Sequence, residues 1–158
     1  MGETGPWIRP VSDTEKGELS MASVRLNNGK IPLLLDIISV PIVEPMPHSH
    51  QSENFLIADH RGWIWKEKLP FTSVSGLCDN IESLWNDEYQ GRKDVNDRIP
   101  EDVAKKIVRS SLYLIKPQAF SLVVSEEIDG KKVLGKFIYK DVSYLLVVTD
   151  PVVEKNIF

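Results

Sequence analysis

Trp7 and Arg9 put a rigid aromatic and a forked cation two residues apart, inside the stretch Gly5-Pro-Trp-Ile-Arg-Pro-Val-Ser12. Side chains two apart on a strand share a face, so the pair could stack a base and hold a phosphate. The same residues also suit an edge strand whose Trp7 covers the core rim. Arg9 would then pair internally with an acid, for which Asp36, Asp97 and Asp150 are the candidates. Gln51-Ser-Glu-Asn54 sets two amides around an acid, and amides read donor–acceptor edges such as that of adenine. On local grounds alone, Gln51 and Asn54 more often hydrogen-bond their own loop backbone. Asp97 and Arg98 offer either a contact to an anion or an internal pair that pins a long polar connector with Arg92 and Lys93. Asp150, before Pro151, suits an Asx turn that accepts two backbone N–H groups, or a carboxylate aimed into a cleft.

Other residues suggest chemistry more weakly. His48-Ser49-His50 has the spacing of some metal sites. It sits in a proline-rich loop, and further ligands would have to come from Glu44, Glu53 or Asp59 near His60, so a solvated loop is the better reading. Cys78 has no histidine near it and reads as a small buried hydrophobe. Trp63 and Trp65 would share one strand face, and core is the preferred reading over a stacking platform. No Gly-rich phosphate loop, His-Glu-x-x-His, Ser-x-x-Lys or paired catalytic carboxylate stands out.

The elements that position these groups must come from an ordinary globular chain. Its 158 residues are 42% hydrophobic and 27% charged, which argues against wholesale disorder. One cysteine excludes an intrachain disulfide and suits a reducing cytoplasm. The formal net charge of −4 argues against coating nucleic acid by charge alone, though not against a small specific pocket. No apolar run approaches the roughly 20 residues of a membrane span, so no membrane partner is expected. The first residues match neither a secretory signal nor a myristoylation site.

Alternation predicts strands over Trp7–Val11, Leu33–Val43, Asn54–Ala58 and Trp63–Trp65. Between them lie the polar loop Ser12–Glu18, the Asn27-Asn28-Gly29-Lys30 turn and an Asp59–Gly62 turn. A short helix is expected over Ser75–Leu84, capped by Asp79 or Asn80, and another from Pro100 to about Val108. Strands then follow over Leu112–Ile115, Phe120–Glu126, Lys132–Tyr139 and Ser143–Thr149, joined by turns at Asp129-Gly130 and Lys140-Asp141. The class is mainly β: two small antiparallel units, with a single barrel carrying an inserted helix as the rival.

In order, "GPWIRPVS", "LLLDIISVPIVEPMPHSHQSENFLI", "LW", "NDRI", "SSLYLIKP" and "YLLVVTDP" resemble the bacterial dual OB-containing domain family over about Gly5 to Pro151. The resemblance implies two OB-like β-barrels packed together with a short helical connector. The boundaries would be 5–75 for the first β unit, 76–108 for the connector, 109–151 for the second and 152–158 for a tail. It implies a non-catalytic module that recognises nucleic acid or a nucleotide in prokaryotic conflict or defence, with no resident cofactor or metal. Its ligand-facing positions fall on Trp7, Arg9, Asp36, Gln51, Asn54, Asp97, Arg98, Thr149 and Asp150. A metal-dependent nucleotide- or nucleic-acid-processing enzyme using Asp36, Asp97 or Asp150 is one alternative. A protein-interaction scaffold is the other. Family members usually carry a strand and a Gly/Cys turn ahead of Trp-Ile-Arg-Pro. Only six residues precede Trp7 here, so either the gene start is truncated or a strand is lost; a lost barrel strand would expose an edge to be covered by a protein partner or a second copy.

Overall fold

The computed structural model describes residues 5–58, 61–85, 96–108, 110–127 and 130–157. Asp59, His60, Arg92, Lys93 and Asp129 lie outside the described residues. The chain divides into two compact units, Met1–Cys78 with Arg109–Leu114, and Asp79–Val108 with Ile115–Phe158. The architecture is mostly β, in three sheets with few helices.

In the first unit, β1 (Arg9–Val11) pairs with β4 (Asn54–Ile57), which also pairs with β3 (Ile42–Pro45). The β1–β4 pairing is parallel, with Arg9 opposite Asn54, where an all-antiparallel unit was expected. A second sheet joins β2 (Asp36–Ser39) to β5 (Ile64–Lys68) antiparallel, with a bulge at Ile37/Ile38. The predicted Leu33–Val43 strand is therefore two strands in two sheets. Pro41 has no N–H to continue a ladder. Its carbonyl instead accepts the Ala58 N–H at 2.9 Å. Upstream, Leu35 turns the chain at φ 67°, and Asp36 accepts the Leu33 N–H at 2.7 Å. The Asn28-Gly29 turn forms as read, with Gly29 at φ 81°. It brings Leu26 beside Trp63, and these two with Ile57 make the core. Trp65 does not join that core: it stays about half exposed and donates its indole N–H to Asp36.

The Ser75–Leu84 helix is not formed. A 3-10 turn runs over Phe71–Leu77 instead, and Ser75 and Gly76 are weak α-helix formers. Residues 79–85 run irregularly in the second unit, their backbone groups taken by buried tyrosines. Tyr139 accepts the Ile81 N–H at 3.2 Å and donates to the Ile81 carbonyl at 2.9 Å. Tyr144 accepts the Leu84 N–H at 3.3 Å.

Those tyrosines belong to an antiparallel meander of β6 (Ala119–Glu127), β7 (Gly130–Tyr139) and β8 (Val142–Val147). Val133 and Tyr144 are fully buried at its centre. Phe137 stacks on Tyr144, and Trp85 meets the same ring edge-on at 5.2 Å between centroids. Helix α1 (Glu101–Ile107) starts after Pro100 as predicted, with acids in its first turn and lysines in its last, matching the helix dipole. Two further expectations fail. Residues 112–115 form no strand, and Ser111 just before them gives its N–H to the Glu53 carboxylate. The expected tail is helix α2 (Pro151–Ile157). Among the described residues no sheet closes into a barrel.

Candidate functional site

The parallel β1–β4 pair builds a cleft of about 750 Å³ in the first unit. Its walls are the end of β1, the loop 14–19 and the turn 46–48, with Gln51 and Asn54 on its lining. The loop after β1 is a closed structure, not a slack connector. The buried Ser12 hydroxyl donates to the Glu18 carbonyl at 2.6 Å, and the Gly17 N–H returns to Thr14 at 2.9 Å. Gly17 sits at φ 67° with the Val11 side chain 3.4 Å from where a Cβ would be, so the loop's tight return needs glycine. On the other wall, His48 and Gln51 exchange both backbone hydrogen bonds, at 2.9 and 3.2 Å. His48 and His50 are thus parts of a tight turn with Ser49 at φ 57°.

Arg9 lines this cleft, and its guanidinium is held by Ser111 and Glu53, neither of which is on the lining. Its Nη2 donates to Ser111 Oγ at 2.9 Å and to Glu53 Oε1 at 3.4 Å. The Ser111 hydroxyl also donates to Glu53 Oε1, and the Ser111 N–H donates to Oε2 at 3.3 Å. Glu53 is 4% exposed and Arg9 30%, so the acid is sealed while the guanidinium still meets solvent. Burial works to raise the Glu53 pKa. The Ser111 hydroxyl, the backbone N–H groups of Glu53 and Ser111 and the Arg9 charge outweigh it and hold the carboxyl below its ordinary range. Among the described residues only Nη2 of the guanidinium has protein partners. That leaves Nε and Nη1 able to donate to a ligand. Next to Arg9, Asn54 Nδ2 donates to Gln51 Oε1 at 3.1 Å, while the buried Asn54 Oδ1 has no hydrogen-bond partner among the described residues.

The remaining candidates do other work. Asp36 takes the Leu33 N–H on Oδ2, and Trp65 Nε1 and Lys68 Nζ on Oδ1 at 3.2 and 3.3 Å. The Leu33 bond, then those from Trp65 and Lys68, hold its carboxyl below the ordinary range against a smaller opposing effect of desolvation. Asp36 therefore latches β2 to β5. Trp7 precedes β1 and is partly exposed. In the second unit Asp97 and Arg98 pair with one another at 3.0 Å. Asp150 Oδ1 accepts the Val152 and Val153 N–H groups at 2.8 and 3.3 Å, capping α2 as the Asx reading foresaw. Thr149 is exposed beside it.

Arg9, Gln51 and Asn54 thus line one cleft. Among the described residues the acid that Arg9 pairs with is Glu53, rather than the expected Asp36, Asp97 or Asp150; the sequence offers Glu53 as the acid between two amides and as a candidate metal ligand. Glu53 immediately precedes Asn54, the residue opposite Arg9 in the parallel β1–β4 register. Ser111 carried no signal at all: its position depends on a return of the chain 58 residues after Glu53.

Comparison with known proteins agrees with this β-rich architecture. No curated protein and no solved structure matches the chain. The family model of the dual OB-containing domain matches residues 1–157. With essentially every residue inside that match, the chain belongs to the dual OB-containing domain family.

Proposed function

We propose that this chain is a non-catalytic recognition module that binds a nucleotide, or one or two residues of a nucleic acid strand, in the cleft beside Arg9. The observation that carries the reading is the anchored Arg9 next to the Gln51–Asn54 amide pair on one cleft. A cavity of about 750 Å³ falls within the roughly 300–1,000 Å³ range of small-ligand sites. Arg9 offers fixed donors to a phosphate or a guanine edge, and the amides offer mixed donors and acceptors to a base. None of the three is a proton shuttle or nucleophile near neutral pH, which favours binding over turnover. Glu15 and Glu18 on the same lining oppose a broad phosphate track. A setting in prokaryotic conflict or defence, which the family resemblance implies, and action in a reducing cytoplasm, which the single cysteine suits, belong to the same proposal.

The test is calorimetric titration with mononucleotides and with short RNA and DNA single strands, repeated across a salt series. The expected result is binding of a nucleotide-sized ligand with a log–log salt slope near −1, about one phosphate neutralised. Gln51→Ala should weaken it by roughly two- to tenfold, the worth of one net hydrogen bond. Arg9→Lys should weaken it further, since lysine lacks the planar fork. Absence of binding across the whole panel would reject the proposal, and a steep salt slope would move the site off this cleft.

A further inference from the structure

β6 is an edge strand of the β6-β7-β8 sheet, and among the described residues no strand pairs with its outer side. The opposite edge is different: Asn96 bridges to Tyr144 on β8, and the Leu145 N–H donates to the Asn96 carbonyl at 3.0 Å. β6 is also long and apolar. Phe120 is 60% exposed, and Leu122, Val123 and Val124 are each more than 40% exposed. Phe120 lies over Gly135 of β7, its ring 3.3 Å from where a Cβ would stand, and this packing helps fix its place on the strand.

The backbone of β6 is aimed outward at every second residue. The Val148 N–H donates to the Val133 carbonyl at 2.9 Å, so Val133 directs its main-chain groups toward β8. Val133 lies opposite Val124 in an unbroken register. The N–H and C=O of Val124, and by alternation those of Leu122 and Phe120, therefore point away from β7. Free outward groups on a flat apolar strand are a template for another strand unless charge, proline or a bulge blunts them. None of these interrupts residues 119–125.

We propose that β6 is the interface of a symmetric dimer in which two copies of this chain pair antiparallel along this edge. Charge selects both the partner and the direction. Lys116 precedes the strand, beyond Pro117, and Glu126, which also pairs with Lys131 of β7 at 3.4 Å, lies at its far end and stays exposed. Antiparallel pairing about Ser121 sets Lys116 of one copy opposite Glu126 of the other and Phe120 opposite Leu122. Parallel pairing would set like charge beside like charge. Every pair joined by hydrogen bonds in this register uses only the outward groups of even-numbered residues.

Sedimentation equilibrium of the full chain over a wide concentration range tests the proposal, with amide exchange read at both ends of that range. Wild type is expected at twice the monomer mass when concentrated, with the amides of Phe120, Leu122 and Val124 protected only there. Val124→Pro removes an N–H that makes no bond to β7, so the intrasheet ladder survives while edge pairing is lost. Leu122→Lys sets two lysines beside the dimer axis and serves if the proline variant does not fold. Either folded variant should raise the dimer dissociation constant by at least about a hundredfold, the cost of like charges or unmade bonds at an interface centre. A wild type that stays monomeric at every concentration overturns the proposal. So does a dimer that persists in both variants, or one without concentration-dependent protection on β6.

Discussion

Ser111→Ala isolates the network that holds Arg9 at the cleft. The substitution deletes one hydroxyl and keeps the backbone N–H that bonds Glu53 Oε2. It removes two side-chain bonds at once, one donated to the Glu53 carboxylate and one accepted from Arg9 at 2.9 Å. Hydrogen bonds to charged groups are worth roughly 1.5–3 kcal/mol each. Arg9 is partly solvated and can recover water, so its share is discounted, whereas the sealed Glu53 cannot. A loss of about 2 kcal/mol is expected on that basis. For a chain melting as one unit this lowers Tm by roughly 4–8 °C. The pH dependence gives a second reading. Glu53 titrates below its reference value of 4.5 when folded, so its stabilisation is present above that value and disappears as pH falls through the folded pKa. Without the hydroxyl, that pKa rises toward its unfolded value, so the acid-dependent loss of stability becomes smaller and is complete at a higher pH. Scanning calorimetry of both proteins from neutral to acid pH measures the two effects. A variant that loses less than about 0.5 kcal/mol, the usual scatter of surface changes, with a superimposable pH profile, would refute the reasoning.

Other regions give simpler expectations. Lys140 and Asp141 both turn at positive φ, 50° and 64°. Lys140→Asn should therefore raise the urea midpoint, by about 0.5–1 kcal/mol in stability. Asp150→Ala removes the cap on two N–H groups of α2; a local loss of about 1 kcal/mol should appear as faster amide exchange at Val152 and Val153. Tyr139→Phe takes away the hydroxyl that serves both backbone groups of Ile81. A cost of about 1–3 kcal/mol should show in chemical denaturation, together with altered Trp85 emission as residues 79–85 loosen.

The sequence carried the local elements well wherever one interaction range decides them. The β6-β7-β8 meander, the Asn28-Gly29 turn, the Pro100 helix start and the Asp150 cap are all set by residues within a few positions of one another. It misled where long-range pairing decides. Leu33–Val43 has the composition of one strand, but the turn at Leu35 and the proline at 41 divide it between sheets. Ser75–Leu84 has helical spacing, yet two tyrosine hydroxyls from β7 and β8 claim the backbone of residues 81 and 84. Of the candidate residues, Arg9, Gln51 and Asn54 share a cleft, while Glu53 and Ser111 emerge only once β1 lies parallel on β4 and the later segment returns.

That return makes the first unit discontinuous. Its first 78 residues wait for residues 109–114 to supply the hydroxyl and N–H that Glu53 needs. During synthesis a ribosome delivers about 5–20 residues per second, so the amino-terminal segment emerges seconds before it can be completed. In that interval Glu53 lacks two of its donors, and the β1–β4 pair is held by its ladder and the Arg9 contact alone. Completion of this half therefore has to follow synthesis of Ser111, and a gene fragment ending at Cys78 encodes a unit in which Glu53 lacks both of the donors that Ser111 supplies.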